Sequence, residues 1–172
     1  MSQNDNTSEI KKPSFWISQA CIIAATVVGV FLAANQGFKQ AMLFDTIKTT
    51  QNNYYLRKSL QNELAANVGY IREFMAKVEN RIDKPELVLE TFVWSSMTYS
   101  STSLETPSDL LREAQQFYRQ ANEIMNTPYF NNSVKAKNLG ELADHIEKDV
   151  LPRFETNTED LRKDLESKGS DV

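Results

Sequence analysis

Residues Phe15 to Ala34 contain no charged side chain. A helix of about 20 apolar residues is what the hydrocarbon core of a bilayer requires. Nine residues of the run are Phe, Ile, Val or Leu. At about −0.3 to −0.6 kcal/mol each, they contribute roughly −3 to −5 kcal/mol to insertion. Ser18, Gln19 and Thr26 reduce that total without reversing it, and Trp16 sits where an interfacial aromatic belongs. A cleaved signal peptide would have a shorter apolar region, about 7–15 residues, ending in a small-x-small site. A buried core helix would carry an amphipathic stripe, whereas this run is apolar on all faces. The run is therefore read as a membrane anchor.

The charges around it set an expected orientation. Lys11 and Lys12 precede the run, and Lys39 and Lys48 follow it. This near balance is resolved in favour of a cytoplasmic N-terminus and an outer C-terminal domain, because the alternative carries two lysines across. One face of the anchor holds Cys21, Ala25, Gly29 and Ala33, a small residue every fourth position. Such a stripe lets two membrane helices approach closely, so it is the expected packing face for a homo-oligomer or another membrane protein.

Beyond the anchor the pattern stays helical. Glycine and proline number five each in 172 residues, too few for a turn-rich β fold. Leu60, Leu64, Val68, Ile71, Met75, Val78 and Ile82 recur at intervals of three and four, the spacing of one helix face. Arg57, Lys58, Glu63, Arg72, Glu73 and Lys77 then fall on the solvated side. A break is allowed for between Asn35 and Asn53, where the chain is polar. Asp83-Lys84-Pro85 predicts the start of a second helix carrying Leu87, Val88, Phe92, Trp94 and Met97. Thr106-Pro107-Ser108-Asp109 predicts a third, capped by Thr106 and closing at Asn126-Thr127-Pro128. A fourth begins at Ser133–Asn138, buries Leu139, Leu142, Ala143, Ile146 and Val150, and is interrupted or kinked at Pro152 before continuing through Leu161 and Leu165.

The expected fold is all-α: an N-terminal transmembrane helix continuing into an antiparallel bundle of about four helices. The expected organisation is a disordered tail at 1–13, the membrane helix at 14–38, the bundle at 39–167 and a second disordered tail at 168–172.

Chemistry is harder to find. Cys21 is the only cysteine and His145 the only histidine. No nucleophile-elbow or phosphate-loop pattern is present, so no catalytic or cofactor residue is assigned and the chain is not read as an enzyme. Glu141, His145 and Asp149 share a helix face, but Glu141 to His145 is not the Glu-x-x-His spacing of a di-iron bundle. They read as a solvated face with i,i+4 pairs, and no metal site is assigned. Net charge is −4 with acids and bases interspersed, which gives no support for nucleic-acid binding. Trp94, Tyr54, Tyr55, Tyr99, Tyr118 and Tyr129 are read as core aromatics, with the lining of a ligand pocket as the alternative and, for Asn52-Asn53-Tyr54-Tyr55, an interfacial place near the membrane.

Three stretches together resemble an uncharacterised family of bacterial single-pass membrane proteins with a C-terminal helical domain. They are Val28–Asn35 at the end of the anchor, the Leu-x-x-Glu-Leu-x-x-Asn pattern of Leu60–Asn67, and Val93-Trp94-Ser95-Ser96 followed by Leu110–Tyr118. Gln36, Gln40 and Gln51 depart from the family's charged residues after the membrane helix. The resemblance implies architecture and a bacterial inner-membrane setting, and no activity. It draws attention to Glu63 and Asn67, four residues apart beside the seam. The spacing reads first as a helix-stabilising surface pair; the sharper alternative is structural, a bond from the pair to the loop after Trp94 that fixes the bundle.

Three function classes follow: a membrane-anchored interaction or scaffold protein, self-associating; a ligand-sensing bundle that signals through a partner; and, least supported, an enzyme. A pocket lined by Trp94 and Tyr118 would speak for sensing. A filled core with an exposed apolar patch would speak for a protein partner.

Overall fold

The computed structural model describes residues 13–81, 85–99 and 105–170, and all regular structure among them is helical. Helix α1 runs over Pro13–Glu79, α2 over Phe92–Thr98, α3 over Ser108–Asn126, α4 over Asn132–His145 and α5 over Leu151–Ser167. The expected tail at 1–12 lies outside the described residues; Pro13 is already the first residue of α1, a position proline suits because its missing N–H has no helical partner there.

The chain divides into two units, one up to Thr46 and one from Ile47 onward. In the first, helix α1 is long and apolar enough to cross a membrane. Its large apolar side chains are exposed, Ile23 at 62% and Phe31 at 68%. Thr26 returns its hydroxyl to the Ile22 carbonyl at 2.9 Å, which removes one polar group from an otherwise apolar surface. No break occurs between Asn35 and Asn53.

The second unit is the bundle. Leu60, Leu64, Val68 and Ile71 are buried as the spacing predicts, joined by Phe74. They pack with Leu110, Ala114 and Phe117 of α3 and Leu139, Ala143, Val150 and Phe154 from the C-terminal helices. Met75 and Val78 are partly buried, and Ile82 lies outside the described residues. Gly140 lets α4 approach α1: a Cβ there would lie 2.8 Å from the Met75 methyl.

Several boundaries differ from expectation. The second helix does not begin at Pro85. Residues 85–91 are non-helical, and α2 is one short helix starting at Phe92, itself 82% exposed. Burial alternates from Pro85 to Glu90, half-buried then exposed, which is the period of extended chain. Arg57 and Glu63, expected on the wet side, are each only 5% exposed. Thr106 does not cap α3; the cap position is Pro107, while Thr106 is buried. Asn131 does cap α4, accepting from the Val134 amide at 2.9 Å.

The interruption before Pro152 takes the form of a π-helical turn over Ile146–Val150, with the Leu151 amide bonding the Ile146 carbonyl. Proline has no N–H to give to the carbonyl four residues back and its ring crowds that carbonyl, so the preceding turn widens. The disordered tail expected at 168–172 is not found in its described part: the chain is capped through Ser170, and residues 171–172 lie outside the described residues. Gly169 takes φ 77°, its amide bonds the Glu166 carbonyl, and the Ser170 amide bonds the Leu165 carbonyl. These are the paired bonds of a Schellman cap. Gln51 reaches the Ser170 hydroxyl at 2.7 Å, tying this cap to α1.

Candidate functional site

Glu63 and Asn67 stand one helical turn apart on α1, and both are buried. Glu63 accepts from the amides of Val93 at 2.6 Å and Trp94 at 3.0 Å. These are among the first amides of α2, which have no partner within the helix. Thr91, at the cap position, supplies no side-chain bond. Glu63 is thus a cap delivered from a different helix, with its charge at the favourable end of the α2 dipole. Asn67 accepts from the Glu90 amide at 2.8 Å and donates to the Glu90 carbonyl at 2.7 Å. One amide side chain therefore does for Glu90 what a neighbouring strand would do.

Tyr118 of α3 joins the pair. Its hydroxyl donates to Glu63 at 2.6 Å, and Asn67 Nδ2 donates to the same hydroxyl at 3.3 Å. Burial, followed by the bond to the Glu63 carboxylate, pushes the Tyr118 phenol above its ordinary value. The ring stacks on Trp94, with centroids 5.5 Å apart and planes 19° apart. Tyr70 extends the network outward, donating to Glu90 at 2.7 Å. The two residues are therefore not a solvated surface pair, and they hold Trp94 and the segment before it rather than the loop after it.

Outside this network lies a groove of about 770 Å³, bounded by Leu87–Leu89 and Trp94 on one side and by Gln115, Tyr118, Arg119 and Asn122 on the other. A smaller depression of about 270 Å³ shares Trp94 and Gln115 with it and reaches Met97, Leu111 and Arg112. Val88, 71% exposed, lies at the groove. Trp94 and Tyr118, the pair expected to line a sensing pocket, both border this groove; its other wall, Leu87–Leu89, was not legible, because the spacing presents that stretch as helix.

The remaining expected residues are dispersed. Tyr99 and Tyr129 are each 93% exposed, which corrects their assignment to the core: one ends α2 and the other lies in the short connection after Pro128. Tyr54 and Tyr55 meet edge to face at 5.3 Å, with Tyr55 exposed. Cys21, Ala25, Gly29 and Ala33 are all exposed on α1, and a Cβ at Gly29 would meet nothing within 4 Å.

His145 does not meet Glu141. It meets Asp149 at 2.9 Å through Nδ1 and Glu113 of α3 at 3.1 Å through Nε2, and these two carboxylates raise its pKa. Glu141 lies 4.0 Å from Lys137. No cluster of metal-ligating side chains occurs among the described residues.

A second buried polar group was not anticipated. Arg57 donates to the Asn157 side chain at 2.8 Å and to the Glu105 carbonyl, and Asn53 donates to the Glu105 carboxylate. Burial lowers the Arg57 pKa, and the nearby Glu105 charge opposes that shift.

No family model matches this chain, and no curated protein or solved structure matches it.

Proposed function

We propose that this chain is a membrane-anchored helical interaction module whose outer domain receives a protein partner in the groove beside Trp94 and Tyr118. The observation that carries the reading is that groove: an open surface channel bordered by a stacked aromatic pair and by the exposed apolar side chain of Val88. Exposed apolar surface rimmed by polar groups is characteristic of interaction sites. The apolar span of α1 supports anchoring. The resemblance described above supports a bacterial inner membrane, and the flanking lysines support a cytoplasmic N-terminus with the bundle in the periplasm.

Self-association is part of the proposal, through the face of Cys21, Ala25, Gly29 and Ala33. A Gly29→Leu change that leaves an oligomer intact in membranes would sink that part alone. A ligand-sensing role is the second reading, favoured by the lining of the groove with Trp94 and Tyr118, the pair expected of a sensing pocket, and by the amides of Gln115 and Asn122 beside them.

Cysteine protection tests the main reading. In a Cys21→Ala background, Gln115→Cys is introduced in the groove and Lys163→Cys on exposed α5. Intact cells are treated with a membrane-impermeant maleimide. The reading expects Lys163→Cys to label readily, and Gln115→Cys to be protected in cells but reactive once purified into nanodiscs. Equal labelling of Gln115→Cys in both settings contradicts an occupied groove. Labelling of Lys163→Cys only after lysis contradicts the orientation.

A further inference from the structure

We propose that the partner of the groove is an extended, acidic stretch of polypeptide that pairs its backbone with Leu87–Leu89 and its carboxylates with Arg119 and Arg112. The proposal rests on the groove being the partner site and adds the chemistry of what enters it.

Arg72, Arg153 and Arg162 each meet two carboxylates. Arg57 is engaged with Asn157 and Glu105. Arg119 and Arg112 meet no carboxylate among the described residues, although the chain is net acidic at −4. Arg119 lines the larger depression and Arg112 the smaller, and both depressions include Trp94 and Gln115. Seven residues apart on α3, the two arginines share a helix face at a separation of about 10.5 Å along the axis. Guanidinium groups are the side chains best suited to gripping carboxylates, which they can bond in bidentate fashion. Two of them without acidic partners along one channel complement an anionic occupant.

The backbone of the groove wall, independently of charge, selects a polypeptide among anions. Glu90 has both backbone groups satisfied by Asn67. Leu87, Val88 and Leu89 make no backbone hydrogen bond among the described residues. They lie in non-helical chain whose burial alternates residue by residue, the period of an extended segment, and they form the groove wall. An unpaired extended edge is a template for another strand, and an added peptide strand supplies donors and acceptors at the matching repeat. A small anion or a lipid headgroup satisfies the arginines but leaves that edge bare. On one face of a strand, carboxylates two residues apart are separated by about 6.7 Å and those four apart by about 13 Å. The flexible arginine stems span that difference.

The test uses the full chain in phosphatidylcholine nanodiscs and a fluorescent, end-blocked octapeptide alternating glutamate and valine. Comparison peptides replace glutamate by glutamine, or carry N-methyl groups on all glutamate nitrogens or on all valine nitrogens. The acidic peptide is expected to bind at least tenfold more tightly than its glutamine form, and one of the two methylated series is expected to lose binding. An Arg112→Gln/Arg119→Gln variant, changed only at exposed positions, is expected to abolish the preference for the acidic peptide while leaving the glutamine peptide's affinity unchanged. Equal affinity for the glutamine form overturns the charge pairing. Full binding by both methylated series overturns the strand pairing. If the acidic peptide fails to bind while Gln115→Cys stays protected in cells, this inference falls and the groove remains a partner site of other chemistry.

Discussion

Tyr118 donates its hydroxyl to Glu63 across 2.6 Å, linking the middle of α3 to the carboxylate that caps α2. The carboxylate accepts three bonds from three places: Val93 N, Trp94 N and Tyr118 Oη. It carries no hydrogen to donate in its ionised form, so it suits a site made only of donors.

Glu63→Ala is therefore expected to destabilise the bundle by roughly 3 kcal/mol or more, since it leaves buried donors without an acceptor. Glu63→Gln retains one acceptor oxygen but turns an NH₂ group toward donors, and is expected to cost about 2 kcal/mol. Tyr118→Phe keeps the stack on Trp94 and is expected to cost about 1 kcal/mol. Urea unfolding followed by circular dichroism measures all three. A Glu63→Gln variant as stable as the parent contradicts the cap assignment.

Asn67 is needed as donor and acceptor at once. Asn67→Asp keeps the acceptor for the Glu90 amide but loses the donor and sets a charge beside the Glu90 carbonyl. The expected cost is about 2 kcal/mol or more. Amide hydrogen exchange of Glu90 and its neighbours is expected to accelerate more than that of Leu139 or Ala143. Uniform acceleration across the bundle would show that Asn67 does not hold this segment in particular.

The apolar half of this architecture was legible in the sequence. Leu60, Leu64, Val68 and Ile71 are buried because a three–four spacing puts them on one helix face. Glu63 and Asn67 attracted notice, but what they bind did not follow. Their partners are backbone groups more than 20 residues away, and one-dimensional spacing carries no information about such a meeting. The same blindness placed Arg57 in solvent and made helix of Leu87-Val88-Leu89. Pro85 and the apolar run suit either structure locally, and it is the long-range hold of Asn67 and Glu63 that selects the extended one. Gly169 was taken for fraying chain, although a glycine just past a helix end is also the residue of a left-handed cap.

Gly69 lies inside α1 at an exposed position, and a Cβ built there meets nothing within 4 Å. Gly69→Ala is expected to stabilise the bundle by about 0.5–1 kcal/mol by restricting the unfolded chain. A lower unfolding midpoint in the alanine variant would contradict an open helical position for Gly69.

His145 gives the bundle a pH dependence whose sign is set by Glu113 and Asp149. These carboxylates raise its pKa in the folded state, so the folded form favours the imidazolium. The stabilisation is fully present below about pH 6.5, the ordinary histidine value, and is lost as pH rises through the raised folded pKa. It is small, because the side chain is 46% exposed and solvent screens the pair. His145→Gln is expected to flatten the decline of the melting temperature between pH 6 and 8. An unchanged slope contradicts the assignment.

Photo-crosslinking in native membranes tests most directly whether the groove beside Trp94 is where the partner sits. Benzoylphenylalanine is placed at Gln115 in the groove or at Lys163 on α5, in the full-length chain. One defined adduct is expected from Gln115, absent from Lys163 and lost when Trp94→Ala is added. The same adducts from both positions, or an adduct from Gln115 that persists without Trp94, would contradict that placement of the partner.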